Sequence, residues 1–92
     1  MSDPVCRTFE IVNEKGLHAR ASAKLVEVVE NYDARAEISR DGMSASGDSI
    51  MGLLMLAASK GTTIEVQTSG PDAEELADAL QALVADRFGE DM

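Results

Sequence analysis

The stretch Asn13-Glu14-Lys15-Gly16-Leu17-His18-Ala19-Arg20-Ala21-Ser22-Ala23-Lys24-Leu25 is the junction from which the rest of the chain is read. Its first four residues are a turn signal. Behind them, Ala21, Leu25, Val28 and Val29 recur at helical spacing and predict a helix over 19–31 with one face on a core. Ahead of the turn, Val5, Phe9 and Ile11 alternate with Thr8 and Glu10, which predicts a strand over 5–12 whose apolar face is interrupted by Arg7.

The same reading carried downstream gives a second strand over 34–40, with Ala34, Ala36 and Ile38 on one face. Asp41-Gly42 is a hairpin signal, and 43–46 is the return strand. A short helix is predicted over 49–58, with Ile50 and Leu53 in its core stripe and Gly61 suited to a left-handed position after it. Ile64 and Val66 alternate with Glu65 and Gln67 in a fourth strand over 62–68. Leu76, Leu80, Leu83 and Val84 define a last helix over 73–88, and the tail 89–92 is expected to fray. The order is β-α-β-β-α-β-α. Strands with one polar face imply an α+β fold with an antiparallel sheet covered on one side by helices.

The chain has 92 residues, which is one domain spanning 1–92. So short a chain buries a modest core and places function at the surface. Aromatic residues are 3%, so Leu, Val, Ile, Met and Ala build the core. Formal net charge is −9, which argues against nucleic-acid binding and against docking on an anionic membrane. The single cysteine, Cys6, forms no internal disulfide and no Cys-rich zinc site, and reads as a small strand residue. Met1-Ser2-Asp3-Pro4 shows no basic start followed by an apolar run, so a reduced, cytoplasmic setting is the expectation.

The only histidine, His18, stands just before the first helix and after a glycine turn. The first turn of a helix has N–H groups without intrahelical partners and carries the positive end of the macrodipole, so an anion there is favoured. Imidazole is a good nucleophile near neutral pH. A phosphoryl group on His18 would lie against those N–H groups. Arg20 is placed to reach it with a charge-assisted hydrogen bond, and Lys15 and Lys24 add positive charge. The plain alternative is a polar capping residue. No second His or Cys at ligand spacing supports a metal site, no cofactor is called for, and no nucleophile elbow points to hydrolysis.

Gly16-Leu17-His18-Ala19-Arg20 resembles the active-site motif of HPr, the histidine phosphocarrier family of the phosphotransferase system. Gly47-Asp48-Ser49-Ile50-Met51-Gly52-Leu53-Leu54 resembles that family's regulatory-serine segment. Lys60-Gly61-Thr62 and Gly70-Pro71-Asp72 fall in register with both. The resemblance implies an open-faced β-sandwich with four antiparallel strands and three helices on one face. It implies that Enzyme I phosphorylates His18 on Nδ1, that a IIA-type protein receives the group, and that Arg20 and the N–H groups of Ala19 and Arg20 steady the phosphate. The chain would then be a substrate of other enzymes rather than an enzyme. One departure is Ala21 where the family commonly has proline. With Ser22 it resembles the nitrogen-related, regulatory branch rather than sugar uptake.

Ser49 has a structural reading as an N-cap with Asp48 beside it. The resemblance adds a second role, phosphorylation by a serine kinase of the HPr kinase/phosphorylase type, which would alter partner docking by charge. Beyond the core stripe of the second helix, Met51, Leu54 and Met55 are candidates for an exposed docking surface, with Lys24 beside it. Two competing functions remain: a regulatory binding module governed by Ser49, and a small ligand-binding α+β domain, which leaves the His-Arg motif without a role. Nothing in the sequence calls for more than a monomer.

Overall fold

Period-2 alternation builds the sheet. In the computed structural model, which describes residues 4–91, the strands are β1 (Val5–Glu10), β2 (Arg35–Arg40), β3 (Met43–Ser46) and β4 (Thr63–Ser69). They form one antiparallel sheet in the order β1-β4-β2-β3. The register puts Phe9 opposite Ile64, and Ile38 opposite both Val66 and Ala45. Phe9, Ala36, Ile38, Ile64, Val66 and Thr68 are buried on the inner face. Cys6, Thr8, Glu10, Glu37, Glu65 and Gln67 are exposed on the other, which no element covers. Arg7, the odd residue of the inner face, turns its guanidinium to Asp78 Oδ1 (2.6 Å) and Gln81 Oε1 (2.9 Å).

Three helices cover the inner face: α1 (Ala19–Glu30), α2 (Ile50–Met55) and α3 (Ala73–Ala85). The expected order and architecture are those observed. From α1 come Ala21, Leu25, Val26 and Val29, and from α3 Leu76, Leu80 and Val84, all buried in one core with the inner sheet residues. A buried Leu or Val contributes about 1.5–3 kcal/mol, so these two helices carry most of the helical stabilisation. No helix of the described residues is long and apolar enough to cross a membrane.

Four local expectations are corrected. The second helix ends at Met55 instead of 58, because Ala57 takes a left-handed φ of 51° and turns the chain so that Ala58 O accepts from Leu17 N–H at 2.8 Å. In a helix this short, Leu53 and the following Leu56 are the inward residues. Ile50, expected in the core, opens the helix at its uncovered end and is 40% exposed.

The last helix ends at Ala85 instead of 88. Arg87, Phe88 and Gly89 take φ values of 55°, 54° and 78° in a 3₁₀ turn. A left-handed non-glycine residue costs roughly 1–2 kcal/mol. The reversal carries Phe88 to full burial, worth about 1.5–3 kcal/mol, which offsets part of the cost of the two left-handed non-glycine residues, Arg87 and Phe88. The tail after it is docked rather than frayed. Glu90 packs back on the start of α1, while Met92 lies outside the described residues.

Candidate functional site

The site begins with a glycine that nothing else can replace. Gly16 has φ 66°, and a Cβ there would stand 2.4 Å from the carbonyl oxygen of Ala58. This close approach presses the turn before α1 onto the loop after α2. Leu17 is buried, and its N–H donates to Ala58 O. His18 follows as the N-cap residue of α1, extended at φ −80° and ψ −175°. Its own carbonyl accepts from Ser22 N–H at 2.8 Å, and the buried Ser22 hydroxyl donates to Leu17 O at 3.3 Å. The backbone under His18 is thus fixed from both sides.

His18 makes no side-chain cap hydrogen bond to the helix N–H groups it precedes. The ring is partly exposed, at 27%. Its Nε2 meets the Glu90 carboxylate. Among the described residues no protein group bonds Nδ1. The N–H groups of Ala19 and Arg20, in the first turn of α1, have no intrahelical acceptor.

Arg20 is exposed, and among the described residues its guanidinium has no hydrogen bond or ion pair, so it is available to an anion. Lys24 Nζ, one turn on, donates to Phe88 O at 2.7 Å and uses only one of its three donors. Lys15, Arg20, Lys24 and Glu90 line one shallow depression with Glu14, Gly89 and Asp91. In a chain of net charge −9, three of the eight Lys and Arg residues line this depression, beside three carboxylates. Ala21, the departure from the motif noted above, is fully buried as the third residue of an intact α1.

Two residues of the site were not foreseen. Asn13, with 0% exposure, donates from Nδ2 to Gly16 O (2.9 Å) and to Glu90 Oε1 (2.9 Å). Glu90 is held between Asn13 and His18. Burial pushes its carboxyl up, but the hydrogen bonds from Asn13 and His18, with the charges of His18 and Lys15, outweigh this and hold it below its usual range. The signal available in the sequence was Phe88-Gly89: an aromatic residue and a glycine at a helix end mark a chain reversal, not a frayed tail.

Ser49 lies at the N-cap of α2, half-buried, and its Oγ accepts from Gly52 N–H at 3.0 Å. Asp48 beside it accepts from Ser46 Oγ at 2.5 Å. Met51 and Met55 are 73% and 70% exposed, and with Leu54 and Ile50 they form an apolar patch on α2, which packs against α1. The patch is therefore on the helix that adjoins the one His18 begins.

The chain and its fold match a known family of carriers. The family model described as "PTS HPr component phosphorylation site" matches residues 5–86. The phosphocarrier protein HPr of Cupriavidus necator is 50% identical over 84 residues, covering 91% of this chain and 94% of that protein. The phosphocarrier protein NPr of Escherichia coli is 42% identical over 88 residues, covering 95% and 98%. The crystal structure of HPr-C-His from Thermoanaerobacter tengcongensis superimposes with a TM-score of 0.90 at 33% identity, over 96% of this chain and 99% of that one. The class is that of the phosphotransferase-system phosphocarriers. Within it, the chain belongs to the HPr family.

Proposed function

We propose that the chain accepts a phosphoryl group on Nδ1 of His18 from a phosphoenolpyruvate-dependent Enzyme I and passes it to a IIA-type protein, in the sugar or the nitrogen-related branch of the phosphotransferase system. The observation that carries this reading is the state of the His18 ring. It is partly exposed at the start of α1, its Nε2 is occupied by Glu90, and Nδ1 is left without a protein partner among the described residues.

In the transfer, the Nδ1 lone pair forms a bond to phosphorus while the donor departs with its own bonding pair. The new phosphoryl oxygens lie where an anion is favoured by the first N–H groups of α1, those of Ala19 and Arg20. Arg20 supplies a charge-assisted hydrogen bond. Delivery reverses these events onto the acceptor. Turnover belongs to the partner enzymes, and the chain needs no cofactor. It works as a monomer in the cytoplasm.

Docking falls to Met51, Leu54 and Met55 with Lys24. Pliable methionines suit a surface that must meet a donor and then an acceptor. A serine kinase acting on Ser49 would add about −1.5 to −2 charges beside this patch and weaken the approach of acidic partner surfaces. The test is delivery. The isolated phosphorylated chain is mixed with a purified IIA-type protein, and the phosphoryl group is followed by intact mass. Transfer supports the carrier reading. Phosphorylation-dependent binding that persists in His18→Ala would instead favour a regulatory module controlled through Ser49.

A further inference from the structure

Glu90 and Asn13 have no part in the transfer as set out above, yet both are built into the site. We propose that Glu90 is a positioning residue: its carboxylate, anchored by the buried Asn13 amide, accepts from Nε2–H of His18 and holds the imidazole in the tautomer whose Nδ1 lone pair is free. This rests on His18 being the phosphoryl acceptor.

The chemistry of the contact fixes the proton. An ionised carboxylate only accepts hydrogen bonds, so the His18 nitrogen that meets it must carry the hydrogen. A neutral imidazole has one N–H, and placing it at Nε2 leaves the lone pair on Nδ1. The carboxylate is ionised at neutral pH, because the groups around it hold its pKa low.

Its position is set by a second contact. The Glu90 side chain is 12% exposed, and its other oxygen accepts from Asn13 Nδ2. The same Nδ2 donates to Gly16 O, so the carboxylate is tied to the turn that presents His18. Asn13 is used wholly as a donor here, its buried Oδ1 having no partner among the described residues. An amide held with its acceptor unsatisfied is oriented by what its donor must reach. Phe88 and Lys24 then fix the chain just before Glu90.

During transfer no proton has to leave Nδ1. Its lone pair forms the N–P bond, the donor–phosphorus bond breaks, and that electron pair stays with the donor. The ring then carries substituents on both nitrogens and a positive charge, which Glu90 faces across Nε2. Passing the group on breaks the N–P bond, returns the pair to Nδ1 and restores the neutral ring with its hydrogen still on Nε2.

The experiment reads the nitrogens of His18 directly, because Glu14, Lys15, Arg20, Lys24 and Asp91 also line the depression and would mix into a pH–rate profile. As the only histidine, His18 gives unambiguous imidazole ¹⁵N shifts. These are recorded near pH 8 for the wild type, Glu90→Gln and Glu90→Ala, alongside initial rates of phosphorylation by Enzyme I. Glutamine keeps an oxygen for Asn13 but turns an NH₂ group toward Nε2, which must then accept. Glu90→Gln is expected to move the proton toward Nδ1 and slow acceptance roughly 10- to 100-fold, with Glu90→Ala intermediate. A Glu90→Gln ring with the wild-type tautomer ratio, or a Glu90→Gln protein phosphorylated at the wild-type rate, overturns the assignment. If the glutamine undocks, its spectrum matches that of Glu90→Ala, and the assignment then stands only if Glu90→Ala is itself slower than the wild type. A wild type that accepts no phosphoryl group defeats the carrier reading instead, and the spectra alone then decide whether Glu90 sets the tautomer.

Discussion

The Glu90 carboxylate meets Nε2 of His18 across 72 positions of sequence. The contact joins the end of the described chain to the start of α1, and it gives the fold one pH-dependent contribution to stability. Burial pushes the Glu90 carboxyl up, and Asn13, His18 and Lys15 together bring it below its usual range. A carboxyl depressed in the folded state contributes stability that is complete above its unfolded value, about 4.3, and is lost as pH falls through the folded value. Glu90→Gln should therefore melt below the wild type at about pH 6, with the gap closing as pH drops below about 4. Thermal melts across that range check this, and a gap that stays constant down to about pH 3 speaks against it.

Arg20 is exposed and unpaired among the described residues, so its removal leaves the fold almost untouched. Arg20→Ala should change stability by no more than about 0.5 kcal/mol. A hydrogen bond to a charged group contributes about 1.5–3 kcal/mol, so acceptance on His18 should slow roughly 10- to 100-fold. Denaturant titration and phosphorylation kinetics on one preparation separate the two effects. Unaltered kinetics would remove Arg20 from the site.

Ser49 caps α2 whatever else it does. Ser49→Ala should cost about 1 kcal/mol. Ser49→Asp keeps a good cap at the same position and adds a charge beside the Met51–Met55 patch. It should hold near wild-type stability while raising the KM for phosphorylation by Enzyme I. An aspartate variant that is as good a substrate as the wild type would leave Ser49 a cap alone.

Phe88 is buried at the chain reversal that delivers Glu90. Phe88→Ala should destabilise by about 3–5 kcal/mol. At temperatures where it remains folded, the His18 ¹⁵N shifts should match those of Glu90→Ala, because the carboxylate is no longer held in place. Wild-type shifts in a folded Phe88→Ala protein would show that Asn13 alone suffices.

What the sequence made legible was local. The glycine turn, the His-Arg pair and the amphipathic spacing of Ala21, Leu25 and Val29 lie within a few residues of one another, and local chemistry specifies them. The same holds for Ser49 as a cap. What it hid depends on meetings between distant parts. Ala57 ends α2 early because Leu17 needs the Ala58 carbonyl. Ile50 lies on a plausible core stripe, but the helix is too short to bring it under cover. Helical periodicity runs on through 85–88, and only the pull of the core on Phe88 reverses the chain. Asn13 and Glu90 escaped notice for that reason, since each looks like an ordinary polar residue until α3 returns to α1.

The most direct test of the central claim is phosphoryl acceptance itself. The purified chain is incubated with Enzyme I, magnesium and phosphoenolpyruvate, and its intact mass is recorded before and after brief acid treatment, with a folded His18→Ala variant in parallel. One added phosphoryl group is expected on the wild type, lost in acid and absent from His18→Ala. No added mass, under an Enzyme I shown to be active on its own partner, or an equal label on the alanine variant, would contradict it.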